Sequence, residues 1–188
     1  MKKSFLIIFV CSVTLSCKND SSKGEQEGSV ETVTNPQVKK PTGAIAEKLY
    51  VNYYTNPSSQ AEKDQNALID YAVENDLNVE RTKSGLYYII EQKGTGPNLI
   101  MGQPTKAHYT GHFLDGRVFD SSRNKGVPMF FNVGQMIPGW NEALQFINVG
   151  TKIKLLIPSR LAYADRGFPG YVPPNTPLIF DIEILPIM

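Results

Sequence analysis

From Ser84 to the end, the chain is written in short runs of alternating apolar and polar residues stopped by Gly, Pro, Asn or Asp, and only one helical stripe interrupts them. A period of two places alternate side chains on opposite faces of a strand. Leu86, Tyr88 and Ile90 alternate with Tyr87, Ile89 and Glu91 until Gly94-Thr95-Gly96-Pro97 ends the run. Ala107, Tyr109, Gly111 and Phe113 share one face of the next strand, and His108, Thr110 and His112 the other. Asp115-Gly116, between Phe113-Leu114 and Val118-Phe119, is a hairpin signal. Pro128 to Val133 reads as a strand, Lys152 to Ile157 alternates until Pro158, and Leu178 to Leu185 sets Leu178, Phe180, Ile182 and Ile184 against Asp181 and Glu183. The single helix opens at Pro138-Gly139-Trp140, where proline suits a first turn, buries Trp140, Ala143, Leu144 and Ile147, and stops at Asn148-Val149-Gly150. Helices do not alternate with the strands, so a doubly wound parallel sheet is disfavoured. The expected fold class is α+β, an antiparallel β-sheet wrapped around one short α-helix.

Two segments stand outside that series. Ser58 to Leu77 carries Leu68, Ile69, Ala72, Val73 and Leu77 at helical spacing after a run of capping residues, which predicts one amphipathic helix in an N-terminal extension. It packs on the following domain or leads into it. Pro158 to Pro177 shows no regular pattern, yet Tyr163, Phe168 and Tyr171 anchor it and five prolines stiffen it; a loop of that kind is expected to bind something.

Composition excludes several functions. With 19 Lys+Arg against 18 Asp+Glu, the chain lacks the basic footprint of a nucleic-acid binder. Its 188 residues allow one ordinary domain with appendages. Both cysteines lie in the first 17 residues, so neither a disulfide framework nor a four-thiolate zinc site is available. His108 and His112 share a strand face without a third ligand; a pair of exposed strand histidines is expected rather than a metal site, and no cofactor is implied.

The N-terminus reads MKKSFLIIFVCSVTLSC, with Lys2 and Lys3 before an apolar run too short to span a bilayer. This is the layout of an export signal. Its end, Thr14-Leu15-Ser16-Cys17, resembles the lipobox of bacterial lipoproteins, which implies cleavage before Cys17 and acylation of that cysteine. Cleavage takes two of the 19 basic groups and no acid, leaving 17 against 18. Membrane attachment then rests on lipid, at about 0.8 kcal/mol per buried CH₂ and two or more chains for stable anchoring. Lys18 after the cysteine favours the outer membrane under the sorting rule that this resemblance brings, with the periplasmic or surface face left open. The polar stretch up to Pro41 is expected to be a disordered tether reaching about 25–30 Å.

Between Gly102 and Leu185 the chain resembles the FKBP-type peptidyl-prolyl cis-trans isomerases. The resemblance rests on ordered motifs: His108-Tyr109-Thr110-Gly111, Asp115-Gly116-Arg117-Val118-Phe119-Asp120-Ser121-Ser122, Ile137-Pro138-Gly139-Trp140, Ala162-Tyr163, Pro173-Pro174-Asn175-Thr176 and Leu178-Ile179-Phe180-Asp181-Ile182-Glu183. It implies that Tyr109, Phe119, Phe131, Trp140 and Phe180 line an apolar pocket with Trp140 at its floor. Asp120 is then the acidic group at the rim, or simply a group bonding backbone in its turn. Tyr163 would donate its hydroxyl, and Ile137 its backbone N–H, to substrate carbonyls. Met129 and Met136 would flank the ring site, and Phe168, Tyr171 and Val172 would shape its wall. Three departures bear on substrate preference and macrolide affinity: Met129 replaces a common aromatic, Gly134-Gln135-Met136-Ile137 is one residue shorter than the usual form, and Ala164 replaces a frequent glycine.

The resulting organisation is a signal peptide at 1–16, a tether at 17–41, a helical extension at 42–83 and an FKBP-like isomerase domain at 84–188, whose motif-bearing core is 102–188. In some larger relatives such a helix serves dimerisation, but a single helix here makes a monomer the expectation. Partners implied are proline-containing polypeptides, the membrane through the lipid anchor, and macrolide inhibitors. Two functions follow: an isomerase and folding factor for exported or envelope proteins, or a proline-peptide-binding module of an envelope machine with incidental turnover. Similar lipoproteins occur as isomerases associated with gliding motility in some Bacteroidetes.

Overall fold

The computed structural model describes residues 43–187. The expected signal peptide, Cys17 and the expected tether lie outside the described residues.

Two helices come first, α1 (Ala44–Tyr50) and α2 (Gln60–Glu74). The start of α2 follows from Ser59 and Glu62. The Ser59 hydroxyl accepts from the Glu62 amide at 3.3 Å, and the Glu62 carboxylate accepts from the Ser59 and Ser58 amides at 2.9 and 2.6 Å. This capping box satisfies amides that have no partner inside the helix. At the other end Asp76 takes a left-handed conformation, and the Leu77 and Asp76 amides bond back to the Ala72 and Val73 carbonyls. Both ends thus lie inside the stretch whose spacing predicts a helix. The short α1 has no counterpart in that spacing; it buries only Ala46 and Leu49, too few for a periodic signal.

Among the described residues the sheet has seven strands: β1 (Glu80–Arg81), β2 (Tyr87–Gln92), β3 (Pro104–His112), β4 (Val118–Ser121), β5 (Met129–Asn132), β6 (Lys152–Ile157) and β7 (Leu178–Leu185). All pairings are antiparallel in the order β1-β2-β6-β7-β3-β4, and β5 joins the same edge of β3 that β4 uses further along. The sheet therefore reaches back before Ser84, because Glu80 and Arg81 pair with Tyr88 and Tyr87. A two-residue strand of charged residues carries no alternation to read.

Helix α3 (Pro138–Ala143) lies against one sheet face, with Pro138 in its first turn. Its Trp140 and Ala143, with Leu144 and Ile147 just beyond, pack on Ala107, Tyr109, Leu155, Ile157, Leu178, Phe180 and Ile182. Close approach depends on Gly139, where a Cβ would sit 2.8 Å from the Ile157 methyl. The other face is covered too. Tyr87, Leu156 and Ile179 are buried beneath Leu49, Leu68, Ile69, Ala72 and Val79. Hence β6 departs from clean alternation at Leu156, and β7 at Ile179: those side chains face an apolar roof of helix rather than water.

The segment from Pro158 to Pro177 is ordered by local bonds. A 3₁₀ turn occupies Ser159–Leu161, and Phe168 and Val172 exchange two backbone hydrogen bonds of 2.8 Å. Neither device has a sequence period, which is why the stretch reads as pattern-free.

Candidate functional site

Strand β3 runs through the centre of the sheet and points Tyr109 toward α3. There a cavity of about 220 Å³ is lined by Tyr109, Phe119, Asp120, Met129, Met136, Ile137, Trp140, Tyr163, Phe168 and Phe180. Seven of the ten stand in the quoted motifs; Met129, Met136 and Phe168 lie outside them, at positions the family resemblance implies.

Trp140, 1% exposed, forms the floor. Phe180 and Tyr109 meet its ring edge to face at 5.4 and 5.5 Å between centroids, and Phe119 meets Phe180 in the same way at 5.6 Å. Such T-shaped contacts are favoured by the ring quadrupoles and add about 0.5–1.5 kcal/mol each beyond burial. They hold the walls rigid. Gly111 makes this arrangement possible: a Cβ there would lie 2.6 Å from a Phe119 carbon and 2.8 Å from one of Phe180. Sequence reasoning places Gly111 on the right face but not among the site residues; its position two residues after Tyr109 is the available signal.

The polar groups gather at the rim. The Tyr109 hydroxyl donates to Asp120, whose other carboxylate oxygen receives Lys125 Nζ at 2.5 Å. Asp120 is therefore tied to two side chains of the rim as well as to the backbone of its turn. Burial pushes its pKa up, but the hydrogen bonds from Lys125 and Tyr109 outweigh this and hold it below the usual carboxylate range. Burial, reinforced by the bond to Asp120, pushes the Tyr109 hydroxyl far above its ordinary value. Burial and the nearby Asp120 charge also raise that of Tyr163. Both phenols are thus fixed as neutral donors. The Ile137 amide, just before Pro138 of α3, has no acceptor among the described residues. Asn141 pins the approach to it, accepting from the Met136 amide at 3.1 Å and donating to the Met136 carbonyl at 2.6 Å.

Two further residues support the site: Lys125, which stands outside the motifs, and Ser122, which lies within one but is given no role by it. The buried Ser122 hydroxyl accepts from the Tyr109 amide at 2.8 Å, and the Ser122 amide donates to the Tyr109 carbonyl at 3.1 Å, so the Ser121-Ser122 pair fixes the strand position of the pocket tyrosine.

Three expected site residues stand elsewhere. Phe131 does not line the cavity; it packs edge-on against Trp140 at 5.9 Å, supporting the floor from the side. Val172 is buried in the main core, with its backbone committed to Phe168. Tyr171 is 58% exposed and stacks on Phe168 at 4.9 Å, because the tight turn through Pro169 and Gly170 (Gly170 φ 81°) swings it outward. The histidines also differ from expectation. His112 is largely shielded and bonds Asp181 at 3.3 Å, while His108 meets the Ser122 hydroxyl at 3.1 Å. Among the described residues no group of three His, Cys, Asp or Glu could hold a metal ion.

A rigid apolar cup with neutral donors at its rim suits the binding and reshaping of an apolar segment. Comparison with known proteins agrees. Residues 98–185 match the family model of the FKBP-type peptidyl-prolyl cis-trans isomerases. A probable FKBP-type peptidyl-prolyl cis-trans isomerase of Haemophilus influenzae is 35% identical over 170 residues, covering 89% of this chain and 70% of that protein. The FKBP-type 22 kDa peptidyl-prolyl cis-trans isomerase of Escherichia coli is 43% identical over 58% of this chain and 53% of its own length. The crystal structure of FkpA from Escherichia coli superposes with a TM-score of 0.61 at 34% identity, over 75% of this chain and 63% of that one. Given an apolar cup of this design and kinship along nearly its whole length, the chain belongs to the FKBP-type peptidyl-prolyl cis-trans isomerases.

Proposed function

We propose that the protein rotates X–Pro peptide bonds of exported or envelope polypeptides, anchored by lipid at Cys17, and that it does so by binding the twisted amide in the cavity above Trp140. An uncatalysed X–Pro bond interconverts in tens to hundreds of seconds against a barrier of about 18–20 kcal/mol set by amide resonance. Turnover at ~10²–10³ s⁻¹ asks for roughly five decades, or about 7 kcal/mol. Halfway through rotation the amide has lost resonance and much of its polarity. A largely apolar aromatic cup favours that form over the planar, hydrated one, and only such differential binding accelerates the step. Tyr163 and the Ile137 amide orient the flanking carbonyls, and the Asp120–Tyr109 bond keeps the rim fixed.

The observation that carries the proposal is the set of edge-to-face rings around Trp140, with Tyr163 and Phe168 of the long loop forming part of the cavity wall. In a protease-coupled assay on a short X–Pro peptide, Trp140→Leu should lose at least about tenfold in kcat/KM when measured well below its melting temperature. Catalysis unchanged by that substitution, or absent from the parent at micromolar concentration, sinks the mechanism. The export and anchoring part rests on the sequence from Met1 to Cys17. Metabolic labelling with an acyl analogue should mark the parent chain and not Cys17→Ser; equal labelling would refute it.

A further inference from the structure

The loop that brings Tyr163 to the cavity is gripped at both ends by α2. Asp64 of α2 is 2% exposed, and its Oδ2 accepts from the Ser159 amide at 2.7 Å and from the Ser159 hydroxyl at 2.5 Å. Its Oδ1 accepts from Gln60 Nε2 at 2.7 Å, and the same nitrogen reaches the Asn175 carbonyl at 3.3 Å. Within the loop the Ser159 carbonyl accepts from the amides of Ala162 and Ala164, at 2.9 and 2.8 Å, on either side of Tyr163. The Ala164 carbonyl in turn accepts from the Asn175 amide at 2.7 Å.

Among the described residues no lysine, arginine or histidine pairs with Asp64. A buried carboxylate without a counter-ion is costly and persists only where its hydrogen bonds are strong. The apolar stripe of α2 does not need it; Leu68, Ile69 and Ala72 already attach the helix to the sheet. What Asp64 does hold is the beginning of the pocket loop.

We propose that Asp64 is a positioning residue for the isomerisation: from a helix outside residues 98–185, it fixes Ser159, and through the Ser159 carbonyl it sets where the Tyr163 hydroxyl meets the substrate. The inference rests on the role given to Tyr163 above. The pocket is then shared between the family domain and the helix that precedes it, and Gln60 is the second, weaker strut.

The test uses the full chain. Asp64→Ala should lower kcat/KM on a short X–Pro peptide about fivefold, mainly in kcat, at a temperature well below its melting transition. Asp64→Asn keeps a carbonyl oxygen for Ser159, while the Gln60 amide can turn to accept from the new NH₂; it should restore most of the loss. Asn66→Ala removes another buried α2 side chain, one bonded to Tyr54 rather than to the loop, and should leave kcat/KM unchanged while lowering stability. In a Tyr163→Phe background, the further loss from Asp64→Ala should shrink to less than about twofold. Parent-like kcat/KM in Asp64→Ala, an equal loss in Asn66→Ala, or an undiminished loss in the Tyr163→Phe background overturns the proposal. If Asp64→Ala does not fold, Gln60→Ala decides in its place: faster amide exchange at Ala162 and Ala164 with reduced kcat supports the proposal, and parent-like values of both overturn it. Failure of the pocket reading looks different, since Tyr163→Phe and Trp140→Leu would then keep full rate by themselves.

Discussion

At the scale of single residues, the site depends on two small ones. Gly111 is required by its neighbours rather than by its backbone angle. A methyl group there collides with Phe119 and Phe180, so Gly111→Ala should cost about 1–3 kcal/mol of stability through overpacking and reduce kcat/KM by displacing those rings. Denaturant unfolding and the peptide assay on the same preparation check both. Ala164 presents the opposite case. It holds φ of 52°, a left-handed conformation that costs a residue with a Cβ roughly 1–2 kcal/mol. Ala164→Gly relieves that strain but gives the unfolded chain about 0.4–1 kcal/mol of extra entropy. The net expectation is a melting temperature equal to or a few degrees above the parent's, read by calorimetry. Ionisation is equally local. Asp120 is held below its normal range and Tyr109 and Tyr163 above theirs, so none of the three changes charge near neutrality. A plot of kcat/KM against pH should be flat from about pH 5 to about pH 9.

Among the elements, α2 shows how sequence fixes boundaries. The Ser59–Glu62 capping box starts it and the turn through Asp76 stops it. The amides of Ser59 and Ser58 hold the Glu62 carboxyl well below the usual range, at about 2. Because the folded pKa is depressed, its contribution to stability is complete above the unfolded value near 4.5 and is lost as pH falls toward about 2. The stability difference between the parent and Glu62→Gln should therefore shrink over that interval, as measured by urea unfolding at successive pH values. Strand β7 illustrates a different balance. Burial raises the Asp181 pKa, yet its hydrogen bonds with His112 and Lys154 on the neighbouring strands hold it below normal, so the carboxylate laces three strands together.

Considered whole, the molecule is a sheet with two different apolar covers. Helix α3 and the pocket occupy one face, while α1 and α2 occupy the other. The family match begins at residue 98, but the second face cannot be left bare: Leu156 and Ile179 are fully buried beneath the N-terminal helices. Exposing those two side chains alone forfeits at least about 3 kcal/mol. A chain starting at Val79 should accordingly unfold at a much lower temperature than one starting at Gly43, a difference that thermal melts followed by circular dichroism would reveal. This cover also explains why the pocket loop and an outlying helix come to share hydrogen bonds.

Six of the seven strands among the described residues, the short helix and most of the pocket lining are legible in the amino-acid order; the two charged residues of β1 are not. Period-two alternation reports which face of a strand is buried, and Tyr109 and Phe180 stand on that face, while the helical stripe buries Trp140 against them. It also carried Asp120 and Tyr163 through motif order. Only the tertiary structure decided what depends on contacts between distant segments. Asp64 looks like one more polar residue of an amphipathic helix, and its burial follows from Ser159, 95 positions away. Tyr171 and Val172 look alike as apolar loop residues, yet a turn sends one outward and the other into the core. Period and motif encode local geometry, whereas the pairing of α2 with the pocket loop exists only once the sheet has brought their ends together.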